Sequence, residues 1–305
     1  MRHLISLFES NAEEVQEILD ISARLKTAFK QGQREPLLLG HVLTQVFEKP
    51  SLRTRNSFEA AMVHLGGQGI FLSAKDAGLQ GRESLADVAR VLSGYSDAIV
   101  LRTYSQKLIT KFAMASSCPV VNGLSDDLHP CQALTDLLTI REVFGGLQGR
   151  RLVFVGDGNN VAVSLAIATA LMQMPMTVAA PPRYQLSDDF ILELKRRIPT
   201  ADLTQLDDPA EAVKQADVVY TDVWASMGQE SEADERKHAF ADYQVNSALM
   251  DQTPSGCKFM HDLPARRGME VTDDVIDGAN SIAFLQAENR MHLAKGLLVW
   301  MLEKN

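Results

Sequence analysis

The sequence predicts an α/β protein of two domains, each built on a mainly parallel sheet flanked by helices. Short runs rich in β-branched residues alternate with helical patterns, the arrangement of parallel strands joined by crossover helices. Gly145, Gly146 and Gly149 make the clearest break in the middle of the chain. The length, 305 residues with 46% hydrophobic, suits two cores of roughly 150 residues each.

Ser10 or Asn11 is placed to cap a first helix whose opening turn carries Glu13 and Glu14, with Val15, Ile18, Leu19, Leu25 and Phe29 along one face. That reads as an amphipathic surface helix. Strands follow near residues 42–47, 69–72, 98–101 and 120–121, with helices near 52–65, 85–92 and 106–115. A helix near residues 132–144 closes this series, and the expected domains are 1–145 and 146–283. The second series has strands near 152–155, 177–180, 202–206, 218–221 and 258–261, and residues 284–302 read as one long helix. The charged run Glu230-Ser231-Glu232-Ala233-Asp234-Glu235-Arg236-Lys237 reads as a solvated loop and a candidate lid.

A formal net charge of −9 argues against nucleic acid or an anionic membrane as partner, since either requires a basic face. Any anionic ligand must meet a local basic cluster. Cys118, Cys131 and Cys257 are odd in number, scattered and without a Cys-x-x-Cys pair, which points away from disulfides and zinc and toward a reducing cytoplasm. Glu9 stops the apolar start before it reaches the length of a signal-peptide core. The charge-free stretch between Asp157 and Arg183 is cut by Pro175 and by several polar residues, so a buried helix followed by a buried strand is expected there.

The sharpest local feature is Ser51-Leu52-Arg53-Thr54-Arg55, between the end of a strand and a helix that carries Phe58, Met62 and Leu65 on one face. Ser51 is the expected N-cap. Backbone amides of the first turn, the helix dipole, the Ser51 and Thr54 hydroxyls and the Arg53 guanidinium can converge on one phosphate. Arg102 directly follows the strand at 98–101, and His129-Pro130-Cys131-Gln132 precedes the helix that closes the first series. Taken alone, Arg102 is a solvated strand end and His129 a surface histidine before a proline.

Together, Phe47-Glu48-Lys49-Pro50-Ser51-Leu52-Arg53-Thr54-Arg55, Arg102 and His129-Pro130-Cys131-Gln132 resemble, in order, the carbamoyl phosphate motifs of the aspartate and ornithine carbamoyltransferase family. The resemblance implies that Ser51, Leu52, Arg53 and Thr54 hold carbamoyl phosphate. It implies that Arg102, His129 and Thr54 surround the carbonyl oxygen, where negative charge grows as an amine attacks, and that Gln132 accepts from the carbamoyl nitrogen. Arg53→Ala is accordingly expected to weaken binding more than Thr54→Ala.

Further motifs continue the resemblance through the second half. Val155-Gly156-Asp157-Gly158-Asn159-Asn160 superficially suggests a dinucleotide loop, but position 161 is Val and the third glycine is missing. In ornithine-specific members this string supplies an asparagine, here Asn160, to the amino-acid carboxylate. Asp222-Val223-Trp224-Ala225-Ser226-Met227-Gly228 is similar to their ornithine loop, with Asp222 and Ser226 for the α-ammonium and the Met227 backbone for the carboxylate. The Leu263 carbonyl of His261-Asp262-Leu263-Pro264 would contact the carbamoyl nitrogen. Arg290, on a final helix (284–305) that returns to the first domain, would bind carbamoyl phosphate.

Two departures stand out. Asp262 occupies a position where the family usually has cysteine beside the attacking amine, which makes it a catalytic candidate along with Arg102 and His129. Gly78 stands where relatives often place a glutamine that reaches a neighbouring subunit, and Gln80 is the candidate replacement. The resemblance implies carbamoyl transfer from carbamoyl phosphate to the δ-amine of L-ornithine, no metal, no organic cofactor and a homotrimer. Putrescine or an acylated ornithine as acceptor, or a non-catalytic carbamoyl phosphate-binding relative, are the competing readings.

Overall fold

Asn11 caps the first helix, α1 (Ala12–Lys30): its side chain accepts from the Glu14 amide at 2.9 Å while the Glu14 carboxylate accepts from the Asn11 amide at 3.2 Å. This capping box satisfies two donors that a helix start leaves open. The computed structural model describes residues 1–79, 81, 83–225 and 230–303. It divides into two units, Met1–Leu138 with Glu288–Asn305, and Thr139–Ala287.

After α1 the first unit continues with β1 (Val42–Phe47), α2 (Leu52–His64), β2 (Gln68–Ser73), α3 (Leu85–Tyr95), β3 (Ala98–Arg102), α4 (Gln106–Ala115), β4 (Val120–Leu124) and the start of α5 (Pro130–Phe144). Its four strands are all parallel, in the order β2-β1-β3-β4. Val46, Ile99 and Leu101 of the sheet pack with Val88 of α3 and with Ile109 and Phe112 of α4. Pro130 opens α5 two residues earlier than expected, because a proline at the first helical position gives up an amide that has no intrahelical partner anyway.

The second unit runs β5 (Leu152–Val155), α6 (Asn160–Leu171), β6 (Met176–Ala179), α7 (Asp188–Arg197), β7 (Leu203–Leu206), α8 (Pro209–Ala212), β8 (Val218–Thr221), α9 (Ala233–Ala239), α10 (Ser247–Met250), β9 (Lys258–His261), α11 (Asp273–Ile276) and the start of α12 (Ala283–Leu302). Its strands are also all parallel, in the order β7-β6-β5-β8-β9. The charge-free stretch is the buried helix α6 followed by β6. Among the described residues no helix is long and apolar enough to cross a membrane.

Two findings correct or sharpen the sequence expectations. Residues of the charged run form a short 3-10 turn and α9, and Arg236 is 6% exposed rather than solvated, because Asp157 and the Trp224 carbonyl hold it from within. α1 is covered by the last part of α12. A Cβ on Gly296 would lie 2.0 Å from Ser22 Oγ, so only glycine admits this approach. Lys26 donates to Asn289 at 2.8 Å and Trp300 to Glu17 at 3.0 Å along the same contact.

Strand order fixes where each unit can hold a ligand. Chain direction across the first sheet reverses between β1 and β3, and across the second between β5 and β8. Open parallel sheets bind ligands beyond the carboxyl ends of strands at such points. Those four ends lead into Ser51, Arg102, the 156–160 turn and Asp222.

Candidate active site

In the first unit Ser51 caps α2, with extended backbone and its hydroxyl accepting from the Thr54 amide at 3.1 Å. The start of such a helix, with its outward-facing amides, is chemically suited to an anion. Lys49, two residues earlier, is buried and ion-paired to Asp126, with its ammonium 4.4 Å from the centre of the Tyr104 ring. Glu48 accepts from the Tyr104 amide at 2.8 Å. These contacts tie the loops after β1, β3 and β4 together.

Thr54 is 1% exposed and is the hub of the site. Its hydroxyl accepts from Arg290 Nη2 at 3.1 Å and from Arg102 Nη1 at 3.4 Å. Arg290 Nη1 donates to Gln132 Oε1 at 2.8 Å, and Gln132 Nε2 donates to Asp136 Oδ1 at 2.7 Å. A continuous line of buried and half-buried hydrogen bonds thus runs Arg102, Thr54, Arg290, Gln132, Asp136. Arg53 is half-buried and Leu52 is exposed on the opening turn of α2.

His129 is buried rather than superficial. Burial, reinforced by Arg290, Arg102 and Arg53, holds its pKa well below the usual imidazole range. It is therefore a neutral imidazole at physiological pH, a hydrogen-bond donor that brings no further charge to the cluster. Arg53, Thr54, Arg102, His129, Gln132 and Arg290, named from separate motifs, come together in one unit.

In the second unit, the turn after β5 is shaped by packing. A Cβ on Gly158 would sit 2.7 Å from the Leu186 nitrogen, so this glycine serves close backbone approach. Asp157 pairs with Arg236 at 2.7 Å. Asn159 caps α6, its Oδ1 accepting from the Val161 and Ala162 amides, while its Nδ2 donates to Asp222 Oδ2 at 2.8 Å. Asn160 is half-buried at the first position of α6. Asp222 is 6% exposed and its other oxygen accepts from the Val223 amide at 2.6 Å.

Asp262 lies close to Asp222: a carboxylate oxygen of each and a ring nitrogen of His261 are all within 4.8 Å of one another. His261 Nδ1 accepts from the Leu263 amide at 2.9 Å, which leaves Nε2 to donate to the fully buried Glu270 at 3.2 Å. Its lone pair being taken, what remains to meet a ligand is a pair of carboxylates, suited to an ammonium group. Leu263 sits in the left-handed region at φ 59, a conformation that costs a non-glycine residue energy and is held here by the bond to His261. Gln80, Ser226 and Met227 lie outside the described residues.

Sequence reasoning missed Lys49 with Asp126, Asp136, Asn159 and Glu270. Asp136 had a local signal, lying one helical turn from Gln132, and Asn159 had another, standing before a helix where a cap belongs. Lys49 pairs with Asp126 across 77 residues, and Glu270 meets His261 across a nine-residue loop with no regular spacing, so neither had a local signal.

The carbamoyl phosphate-binding domain model of the aspartate/ornithine carbamoyltransferases matches residues 2–142, and the Asp/Orn-binding domain model matches residues 148–301. The chain belongs to the aspartate/ornithine carbamoyltransferase family. Relatives in this family include the ornithine carbamoyltransferase of Anoxybacillus flavithermus, 48% identical over 303 residues covering 99% of this chain and 96% of that protein. That of Bacillus subtilis is 46% identical over 305 residues, 99% and 94% of the two chains. The solved ornithine carbamoyltransferase of Pyrococcus furiosus superposes with a TM-score of 0.95 at 46% identity, covering 100% of this chain and 98% of that one. The two parallel-sheet units are the family fold.

Proposed function

We propose that the chain transfers the carbamoyl group of carbamoyl phosphate to the δ-amine of L-ornithine, giving L-citrulline and phosphate in arginine metabolism. The observation that carries the reading is the bonded line Arg102, Thr54, Arg290, Gln132 beside a neutral His129. It is a preorganised set of donors and cations of the kind that stabilises a developing oxyanion next to a phosphate. In this reading Ser51, Leu52, Arg53 and Thr54 hold the phosphate, Arg102, His129 and Thr54 polarise the carbonyl, and Gln132 and the Leu263 carbonyl take the carbamoyl N–H groups.

Ornithine is held by Asp222 and Ser226 at its α-ammonium, and by Asn160 and the Met227 backbone at its carboxylate. Asp262 takes the δ-ammonium and its proton. The neutral amine attacks the carbonyl carbon, the carbon–oxygen bond to phosphate breaks, and the departing phosphate receives the second amine proton. Rate comes from positioning and electrostatics, without metal, organic cofactor or covalent enzyme intermediate. The protein works in the cytoplasm as a homotrimer in which Gln80 completes a neighbouring subunit's site.

An assay of citrulline or ureido product with carbamoyl phosphate and a panel of ornithine, putrescine and N-acetylornithine tests the reading. Ornithine is the preferred acceptor, and Asp262→Cys retains product formation. Preference for putrescine sinks the ornithine assignment, and no product from any amine sinks the enzyme.

A further inference from the structure

A primary amide has an accepting end and a donating end, and reversing it swaps the two at almost the same shape. Gln132 is 2% exposed, and both of its ends are occupied. Oε1 accepts from Arg290, which has only donors, and Nε2 donates to Asp136, a carboxylate with no exposed surface. Turning the amide over would face donor with donor and acceptor with acceptor, in a buried setting where such mismatches are most costly. Arg290 is itself braced by Thr54, so the constraint at one end comes from the phosphate site and at the other from Asp136 alone.

We infer that Asp136 is a specificity-determining positioning residue that acts through Gln132. By fixing the amide with its oxygen toward Arg290 and Thr54, it makes the acyl pocket require an N–H donor on the acyl carbon. Carbamoyl phosphate supplies that donor; an acyl phosphate with a methyl group in its place does not. Asp136 never touches the substrate, being one turn further along α5. The inference rests on the reading above, in which Gln132 meets the carbamoyl nitrogen.

The test compares three constants in wild-type protein and Asp136→Asn: KM for carbamoyl phosphate in citrulline formation, and inhibition constants for acetyl phosphate and for inorganic phosphate. Asparagine at 136 can accept or donate, so Gln132 loses the charged acceptor that anchors its nitrogen and is left to Arg290 alone. The preference for carbamoyl over acetyl phosphate is expected to fall about tenfold, the worth of one well-made hydrogen bond, with phosphate inhibition unchanged. Gln132→Met shows the same fall, and Asp136→Asn adds nothing in that background. Asp136→Ser, which removes the carboxylate without added bulk, gives the reading should Asp136→Asn fail to accumulate.

An unmoved preference overturns the inference, as does a fall matched by equal weakening of phosphate binding, which marks a general collapse. A further fall when Asp136→Asn is added to Gln132→Met also overturns it, because Asp136 would then act by another route. Wild-type protein that makes no citrulline overturns the proposed function and this inference with it. Wild-type protein that makes citrulline with an unmoved preference overturns the inference alone.

Discussion

The phosphate site of the first unit and the amino-acid site of the second occupy equivalent places, the reversal point of a parallel sheet, yet they are built from opposite chemistry. Around Thr54 the first gathers Arg53, Arg102 and Arg290 and a histidine kept neutral by burial among them. Around Asn159 the second gathers Asp222 and Asp262, with Asp222 held by amide donors. A doubly anionic ligand suits the one and an ammonium group the other. The fold therefore supplies only the location, and the side chains at the strand ends decide the charge of what binds.

The largest effect expected from breaking this division is at Arg290. Arg290→Met removes the donors to Thr54 and Gln132, each a charge-assisted bond worth about 1.5–3 kcal/mol. KM for carbamoyl phosphate should rise at least about a hundredfold, with little change for ornithine; a rise below about tenfold would mean that Arg290 is not integral to the phosphate site. The same network bears on the order expected from sequence for Arg53 and Thr54. Thr54→Ala takes the shared acceptor from two guanidinium groups, and its effect should equal or exceed that of Arg53→Ala.

Burial of a histidine, reinforced by nearby positive charge, should also make the first unit acid-sensitive. His292 on α12 is fully buried against Phe29, and its pKa is lowered to about 4 by burial, then by Lys295 and Lys26, with Glu288 pulling the other way. The unfolded chain binds this proton more tightly, so the stability is fully present above about pH 6.5 and is lost as pH falls toward about 4. Roughly 2 kcal/mol should be gone by pH 5. In urea titrations at about pH 7.5 and 5, His292→Gln should shrink the wild-type loss by that amount; an unchanged loss would place the acid sensitivity elsewhere.

The two regions also differ in how far the sequence disclosed them. Ser51 and the first turn of α2 were legible because capping is local chemistry. Arg102 and Asp222 stand at strand ends, where ligands of parallel sheets bind, but taken alone each reads as a solvated end or a surface turn, and the family resemblance singled them out. Arg290 sits in mid-helix with nothing local to mark it, and only the family resemblance singled it out. The charged run that contains Arg236 gave no sign of which side chain turns inward, since Asp157 lies 79 residues away. Alternation of strands and helices forecast two parallel sheets, whereas the orders β2-β1-β3-β4 and β7-β6-β5-β8-β9 depend on crossovers that no local pattern encodes.

The smallest effect sharpens the comparison most, because it should reach one site and leave the other alone. Asn159→Asp keeps an oxygen to cap α6, so the helix start survives. It also replaces the donor 2.8 Å from Asp222 with an acceptor, turning attraction into repulsion between carboxylates. Asp222 should swing from its place, raising KM for ornithine about tenfold, one hydrogen bond to a charged group, while KM for carbamoyl phosphate stays as it was. An equal rise in both constants would show that the cationic and the anionic site do not bind independently, and the division of labour drawn between the two units would fail.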